Sequence, residues 1–315
     1  MARGDDVVIL DDLSTGSRAN VEHLLGGGRA ELVVGTVLDA ELVDSHMRSA
    51  DACLHFAAAV GVRLVVEQTV DSIRSNALGS DIVMTSAARH GRRLLFASSS
   101  EVYGRGDGQM ISEGAPHSAG YRMHARWAYA SSKMFGEALA QSYVRELGSE
   151  MVVARLFNVV GPRQTGTYGM VLPRFVGQAL SGADLTVYGD GRQSRSFVHI
   201  DDAVRALLAL LCSDAATGGV YNVGSTKSIR IIDLANLVIQ RTASSSGVRY
   251  VPFDVVYESG VEDLDRQPPD TSAVTATIGW RPERTVDDAV DDVIESFRNT
   301  AIPDAARRPT VPHAA

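Results

Sequence analysis

The sequence predicts an α/β fold built on a doubly wound parallel sheet. Apolar runs of strand length alternate with amphipathic stretches of helical length. The runs are apolar at consecutive positions, which is typical of strands that helices cover on both faces. We predict strands in DVVIL, ELVV, DACLHF, RRLLFAS and MVVARLF, and long helical segments over 65–89 and 129–146.

The composition of the sequence changes after Asn158, where glycine and proline become frequent and the predicted strands become short. We therefore predict a first domain over 1–157, to which residues 197–225 return through VYNVG. A smaller α/β domain is expected over 158–300, followed by a loose tail over 301–315. Its helices are predicted at 172–180, 202–211 and 232–242.

Composition narrows the classes of protein. The chain has 315 residues, 45% of them apolar, and a net charge of -8 without a basic run, so a sizeable core is expected and nucleic acid is not an expected partner. No apolar run approaches the roughly 18 residues of a membrane helix and no secretion signal is recognisable, so we expect a cytoplasmic protein without a membrane partner. Cys53 and Cys212 are far apart and lack metal-ligand spacing, which favours buried free thiols and no metal.

The stretch YASSK carries the first chemical signal. Tyr129 and Lys133 are four residues apart, which places them on one face of a helix. A free phenol has a pKa near ~10 and is a poor base at neutral pH, but an ammonium one turn away favours the phenolate. The pair is therefore suited to taking a proton from a sugar hydroxyl, although YxxxK also occurs by chance in helices.

A second signal lies about thirty residues earlier, in LLFASSSEVYG. This apolar strand ends in three serines and a glutamate, and ligands bind at the carboxyl ends of strands in α/β sheets. A serine hydroxyl here is placed to bond both the substrate oxygen and Tyr129. We therefore expect Ser99 and Tyr129 to lie at the same edge of the sheet.

With both signals present, the sequence resembles the extended short-chain dehydrogenase/reductases that act on nucleotide sugars, which include 4-epimerases, 4,6-dehydratases and UDP-glucuronate decarboxylases. The resemblance runs from Asp6 to about Arg284. It implies a Rossmann-like NAD-binding domain, a smaller nucleotide-sugar-binding domain, and a homodimer formed through helices around 71–89 and 129–146. Its motifs are VVILDDLSTG, HFAAAVG, SNALGS, FASSSEVYG, YASSK, RLFNVVGPRQ, VYGDGRQSRSFVHIDD, YNVGS and IGWRP.

The resemblance also implies how NAD is bound. Asp11, at the end of its strand, would bond the adenosine ribose hydroxyls, and its charge favours NAD over NADP because it repels a 2′-phosphate. Thr36 stands where family members usually carry an aspartate that holds the adenine, so that contact is expected to be weaker. His55 is expected to be structural. The other implied cofactor residues are Asp12, Leu13, Ser14, Thr15, Val37, Ala57, Ala58, Asn76, Tyr129 and Lys133.

By the same resemblance, Ser99 is the catalytic Ser/Thr, Tyr129 is the general base, and Lys133 orients the nicotinamide ribose. Glu101 joins the catalytic group. Arg195 and Arg266 are expected to hold the diphosphate, because guanidinium groups match phosphate oxygens bidentately. The other implied substrate residues are Ser100, Asn158, Arg163, Leu172, Pro173, Val187 and Tyr188.

The two residues after Ser99 bear on the reaction. Dehydratases of this family carry Asp-Glu there, whereas decarboxylases typically carry Ser-Glu, as Ser100 and Glu101 do here. Oxidation at C4 makes a C6 carboxylate that of a β-keto acid, which loses carbon dioxide without an added acid. We therefore favour a UDP-glucuronate decarboxylase, with a UDP-sugar 4-epimerase as the alternative.

The first residues raise a hypothesis of another class. Asp6–Leu10 resembles the second strand of a cofactor sheet, yet no strand with a glycine-rich, phosphate-binding turn precedes it, and Gly26–Gly28 lies in a loop. An N-terminally truncated sheet would be interrupted and would bind NAD weakly, as in a non-catalytic nucleotide-sugar-binding homologue. The intact Ser99 and Tyr129 argue against that, so we expect a mis-set start or a deleted segment before Met1.

Overall fold

The structure is a computed structural model that describes residues 3–61, 64–65, 68–104, 110–116, 125–167, 169–256 and 267–299. The predicted tail over 301–315 and the predicted substrate residue Arg266 lie outside the described residues.

The secondary structure follows the predicted alternation. The strands are β1 (Val7–Asp11), β2 (Ala30–Val34), β3 (Ala52–His55), β4 (Arg93–Ser99), β5 (Met151–Leu156), β6 (Val159–Val160), β7 (Leu185–Tyr188), β8 (Ser194–Ser196), β9 (Val198–His199), β10 (Val220–Val223), β11 (Ser228–Arg230) and β12 (Val248–Val251). The helices are α1 (Glu22–Leu25), α2 (Ala40–Ser49), α3 (Thr69–Arg89), α4 (Ala125–Leu147), α5 (Val171–Leu180), α6 (Ile200–Leu211), α7 (Ile231–Thr242), α8 (Phe253–Val256), α9 (Ser272–Ile278) and α10 (Val286–Asn299).

A parallel four-stranded sheet in the order β10-β5-β4-β3 forms the main core. Successive residues of β4 point to opposite faces, so Leu94 and Phe96 pack with α2, α3 and α4, whereas Leu95 packs with α6 and α9. Helices therefore cover both faces, which explains why β4 and β5 are apolar at consecutive positions. The predicted doubly wound α/β fold is confirmed.

Helix α4 lies unusually close to β4. A Cβ atom added at Gly136 would stand 2.4 Å from Cζ of Phe96, which is well inside van der Waals contact. Glycine at this position lets the helix approach the strand, and that approach brings the polar face of α4 to the end of β4.

Strands β1 and β2 form a separate parallel pair. Neither strand contains a fully buried residue, and within the described part of the chain β1 has a hydrogen-bonded neighbour on one side only. Strand β3 is likewise an edge of the four-stranded sheet. Within the described residues, the β1–β2 pair and the four-stranded sheet are therefore separate sheets.

A second core lies beyond β5. Helices α5, α7 and α10 pack around Phe175, Leu234 and Val290, with β7 and β12 paired in parallel at its edge. Strand β6 pairs with β9, and β8 pairs antiparallel with β11. These short strands place Tyr188 and Arg195 opposite the carboxyl ends of β4 and β5.

The structure bears on the expectations about the cysteines, a membrane helix and a metal site. Cys53 and Cys212 are both free, and burial raises the pKa of Cys53 to about 12. The expected burial is wrong for Cys212, which is exposed because it follows the last turn of α6 at the surface. Among the described residues, no helix is long and apolar enough to cross a bilayer, and no group of three potential metal ligands is found.

Candidate active site

A cavity of about 500 Å³ opens at the carboxyl ends of β4 and β5 and reaches across to α5 and β7. It lies where ligands bind in open α/β sheets. The predicted residues that line it are Ala58, Ser99, Ser100, Glu101, Tyr129, Lys133, Asn158, Leu172, Pro173, Tyr188 and Arg195. The structure thus brings residues from both halves of the sequence to one cavity.

Ser99 ends β4 and begins a short 3-10 turn over Ser100–Tyr103. Its Oγ accepts a hydrogen bond from the backbone N–H of Glu101 at 3.2 Å, which caps the turn. The change from extended strand to tight turn exposes Ser99 and Glu101 to the cavity while Ser100 stays largely buried.

Tyr129 and Lys133 lie one turn apart on α4 and both line the cavity, as their spacing predicted. The Nζ of Lys133 donates to the backbone carbonyl of Ala97 at 2.9 Å and lies 5.9 Å from the centre of the Tyr129 ring. It also lies 5.0 Å from the centre of the Phe96 ring. Burial lowers the pKa of Lys133 to about 8, although the negative charge of Glu137 acts in the opposite direction.

Sequence reasoning missed a buried polar cluster behind this pair. Arg155 on β5 donates to both carboxylate oxygens of Glu137, at 2.9 and 2.6 Å, and to the hydroxyl of Tyr103 at 2.8 Å. Glu137 also accepts a hydrogen bond from Ser98. Two signals were available: Glu137 follows Lys133 by four residues, and Arg155 interrupts the apolar strand MVVARLF.

The substrate side of the cavity contains two polar residues that the sequence did not single out, Arg174 and Gln193, beside the predicted Tyr188 and Arg195. Arg174 lies 4.0 Å over the ring of Tyr188 and donates to the carbonyl of Thr186 at 3.1 Å. Gln193 donates to the carbonyl of Tyr188 at 2.9 Å. Arg195 donates to the carbonyl of Ser194 at 2.7 Å. Two arginines therefore stand on the side of the cavity where a diphosphate was expected.

Two predicted substrate residues do not line the cavity. Val187 is fully buried in the second core, because alternate residues of β7 face opposite sides. Arg163 is exposed and donates to the carbonyl of Asn20 at 2.9 Å, so its side chain turns toward the segment after β1. Asn158 lines the cavity and donates to the carbonyl of Ser196 at 2.8 Å.

The predicted ribose-binding residues form a turn after β1. The carboxylate of Asp11 accepts from the N–H of Leu13 at 2.7 Å, and that of Asp12 accepts from the N–H of Ser14 at 2.9 Å. A Cβ atom added at Gly16 would lie 3.1 Å from Asp11 Oδ1. This glycine leaves space beside the carboxylate of Asp11. Thr15, the residue before Gly16, is half-buried.

The other predicted cofactor residues hydrogen-bond to nearby loops or pack in the core. Asn76 on α3 accepts from the N–H of Ala59 at 2.7 Å and donates to its carbonyl at 3.2 Å, so its amide holds the loop after β3. Thr36 Oγ1 accepts from the N–H of Leu38 at 3.2 Å. Val37 and Ala57 pack in the core with α2 and α3.

His55 is buried against α3, where its Nε2 lies 3.0 Å from Ser80 Oγ. Burial, and then the charge of Lys133, lower the pKa of His55 to about 3, so its imidazole is neutral at physiological pH. A neutral, enclosed imidazole fits the structural role that the sequence analysis expected.

A family model described as the NAD dependent epimerase/dehydratase family matches residues 1–224. The chain belongs to this family, which confirms the resemblance drawn from the motifs, and NAD is its cofactor. The residues present fit NAD at two places: the Asp11 carboxylate beside Gly16 suits ribose hydroxyls, and the buried Lys133 amine beside Tyr129 suits the reacting end.

Similar proteins extend this assignment over most of the chain. A UDP-N-acetyl-alpha-D-glucosaminuronate decarboxylase from Bacillus cytotoxicus is 33% identical over 94% of this chain and 91% of its own length. UDP-glucuronic acid decarboxylase 1 from Xenopus tropicalis is 30% identical over 95% of this chain and 68% of its own length. Among solved structures, a UDP-glucose 4-epimerase from Thermus thermophilus in complex with NAD is 27% identical, with a TM-score of 0.82 over 95% of this chain and 93% of that chain.

Proposed function

We propose that the protein is an NAD-dependent decarboxylase of a UDP-hexuronic acid, with UDP-glucuronate as the first substrate to test. The observation that carries this proposal is the wall formed by Ser99, Ser100 and Glu101 at the end of β4. It presents one hydroxyl at the catalytic position, a largely buried hydroxyl where a dehydratase has its acid, and one carboxylate. The decarboxylases among the similar proteins support the same choice.

The first task of the protein is to remove a proton from the C4 hydroxyl of the sugar. Tyr129 as phenolate accepts this proton, and the ammonium of Lys133 stabilises the phenolate. Ser99 Oγ donates to the sugar oxygen and keeps it in line with Tyr129. NAD, when bound, would accept the hydride from C4 and would return it to C4 after carbon dioxide has left, so that loss of carbon dioxide is the net change.

The second task needs no acid near C6. With a ketone at C4, the bond from C5 to C6 breaks, carbon dioxide leaves, and the electron pair is delocalised onto the C4 oxygen as an enolate. The Tyr129 hydroxyl and Ser99 are placed to hydrogen-bond that oxygen, and C5 then takes up a proton. A serine at position 100 is compatible with this route, since no hydroxyl has to leave from C6.

The nucleotide is held on the opposite wall in this proposal. Arg195 contacts the diphosphate, Tyr188 and Leu172 border the nucleotide, and Asn158 borders the sugar. Asp11 binds the adenosine ribose of NAD. These assignments rest on the family positions and on the lining of the cavity.

A UDP-sugar 4-epimerase is the second candidate, favoured by the epimerase structure with the same fold. A non-catalytic nucleotide-sugar-binding protein is the third. It would have no need for the buried Lys133 beside Tyr129 at the end of β4.

The deciding experiment supplies purified, NAD-loaded protein with UDP-glucuronate and, separately, with UDP-N-acetylglucosaminuronate. Release of carbon dioxide with a nucleotide product lighter by that mass supports decarboxylation. A product of unchanged mass but altered C4 configuration favours the epimerase. Binding of the nucleotide sugar without any turnover favours the non-catalytic binding protein. In the same assay, Tyr129→Phe should reduce turnover by about a thousandfold and leave nucleotide binding nearly intact.

We also propose a homodimer through the outer faces of α3 and α4, in the cytoplasm. Val70 and Leu78 on α3 and Phe135 on α4 are large apolar side chains that remain about half exposed in the isolated chain. The free, exposed Cys212 is consistent with a reducing compartment. Light scattering of the wild type should give twice the chain mass, and Phe135→Glu should lower it toward one chain if this surface is the interface.

A further inference from the structure

Helix α4 has a third buried polar residue, Glu137, one turn beyond Lys133. Tyr129, Lys133 and Glu137 recur at intervals of four and share one helix face. Glu137 is almost completely buried and lies behind the cavity rather than in its lining. A carboxylate in this place does not touch the substrate, but its charge acts on the lysine between it and the cavity.

The position of Glu137 is fixed from two strands. Arg155 on β5 donates hydrogen bonds to both carboxylate oxygens of Glu137, and Ser98 on β4 donates to one of them. Ser98 immediately precedes Ser99, and the carbonyl of Ala97 accepts from Lys133 at 2.9 Å. The Glu137 carboxylate and the Lys133 ammonium therefore both connect α4 to the end of β4.

The cluster continues past Arg155 to the loops around the site. The Tyr103 hydroxyl donates to Asn222 Oδ1 at 2.6 Å. The amide nitrogen of Asn222 donates to the carbonyls of Ile111 and Asp270, at 2.9 and 3.2 Å. Bidentate, fully enclosed pairing of this kind holds geometry well, because every partner is costly to remove.

From this arrangement we infer that Glu137 is a positioning residue: held by Arg155 and Ser98, it keeps the Lys133 side chain charged and directed at Tyr129. The inference rests on the proposed function only in taking Tyr129 as the base. Glu137 and Tyr129 are the titratable groups of α4 that flank Lys133. Among the described residues of neighbouring elements, the titratable groups around this site are His55 on β3, Arg155 on β5 and Glu101 after β4.

The charges in this set favour that role. His55 is neutral, and the positive charge of Arg155 faces the Glu137 carboxylate with which it is paired. Burial by itself would lower the pKa of Arg155, but the hydrogen bonds and charge of Glu137 outweigh it and raise that pKa, so the guanidinium stays charged. For Lys133, burial opposes the ammonium and Glu137 supports it.

The test is the ionisation of Tyr129, followed by NMR of the ring carbon that bears its hydroxyl, in protein with labelled tyrosine; Tyr129→Phe identifies the signal. Lys133→Met, the positive control, should raise the midpoint of this titration because it removes the ammonium. Glu137→Gln should raise it by about one pH unit, and Glu137→Asp should restore most of the difference. These readouts need neither substrate nor turnover.

Glu137→Gln leaves Arg155 buried with a neutral partner and could unfold the protein. The double variant Glu137→Met with Arg155→Met removes both charges of the buried pair together, which costs less stability than removing one of them. It should shift the midpoint upward, but by less than Glu137→Gln does, because the opposing charge of Arg155 is lost as well. A folded variant with the wild-type midpoint overturns the inference if Lys133→Met shifts it. If Lys133→Met has no effect, both the inference and the tyrosine-lysine pair of the proposed function are wrong.

Discussion

The four-stranded sheet and the β1–β2 pair are proposed to bind different parts of the ligands, and they are held in different ways. In β4 and β5, five consecutive residues are buried, and the catalytic side chains project from this core. In β1 and β2 no residue is fully buried, and the turn after β1 is held mainly by local hydrogen bonds to Asp11 and Asp12. Catalytic geometry therefore depends on long-range packing, whereas the ribose-binding turn depends on nearby residues.

The largest expected difference is in the free energy of unfolding when a buried and an exposed ion pair are broken. Arg155→Met should lower the free energy of unfolding by about 3–5 kcal/mol, because it leaves the Glu137 carboxylate buried without its partner. The matched control is Arg241→Met, which breaks a surface pair with Asp287 and Asp291 and should change stability little. Urea denaturation of the two variants makes the comparison. Equal losses would show that burial is not what separates the two pairs.

Glycine substitutions compare the two regions directly. Gly136→Ala should cost about 1–3 kcal/mol, because the new methyl group would overlap the Phe96 ring and push α4 from β4. Turnover should fall as well, since Tyr129 and Lys133 move with the helix. Gly26→Ala, in the loop before β2, has no atom within 4 Å of the added Cβ and should leave both properties almost unchanged. Thermal unfolding and activity assays of both variants test these expectations. Unchanged stability and turnover in Gly136→Ala would contradict the close packing of α4 on β4.

The smallest expected effect tests the ribose-binding turn. Asp11→Asn should raise the dissociation constant of NAD about tenfold and narrow the preference for NAD over NADP, because the ribose hydroxyls lose a charged acceptor. Asp6→Asn is the control: Asp6 lies just before the same strand, paired with Arg29 at the surface, and its replacement should not affect binding. Calorimetric titration with both dinucleotides gives the values. Unaltered NAD affinity in Asp11→Asn would remove this residue from the cofactor site.

The elements that sequence analysis located well are those with strong local patterns. The helix expected over 172–180 is observed as Val171–Leu180, and that expected over 232–242 as Ile231–Thr242. The spacing of Tyr129 and Lys133 correctly predicted that they lie one turn apart on one helix. The expected burial of Cys212 was wrong, since an apolar neighbourhood in sequence did not reveal that the helix ends at the surface.

The sequence by itself determined the fold class, the family and the residues at the end of β4, because periodicity and strand-end polarity are local properties of the chain. Tertiary structure alone decided that Arg155 pairs with Glu137, that Arg174 lies over Tyr188 and that Arg163 turns away from the cavity. Arg155 and Glu137 are 18 residues apart, and Tyr103 and Asn222 are 119 apart. Such polar pairs form only when strand register and helix packing bring their side chains together, and no local pattern encodes that meeting.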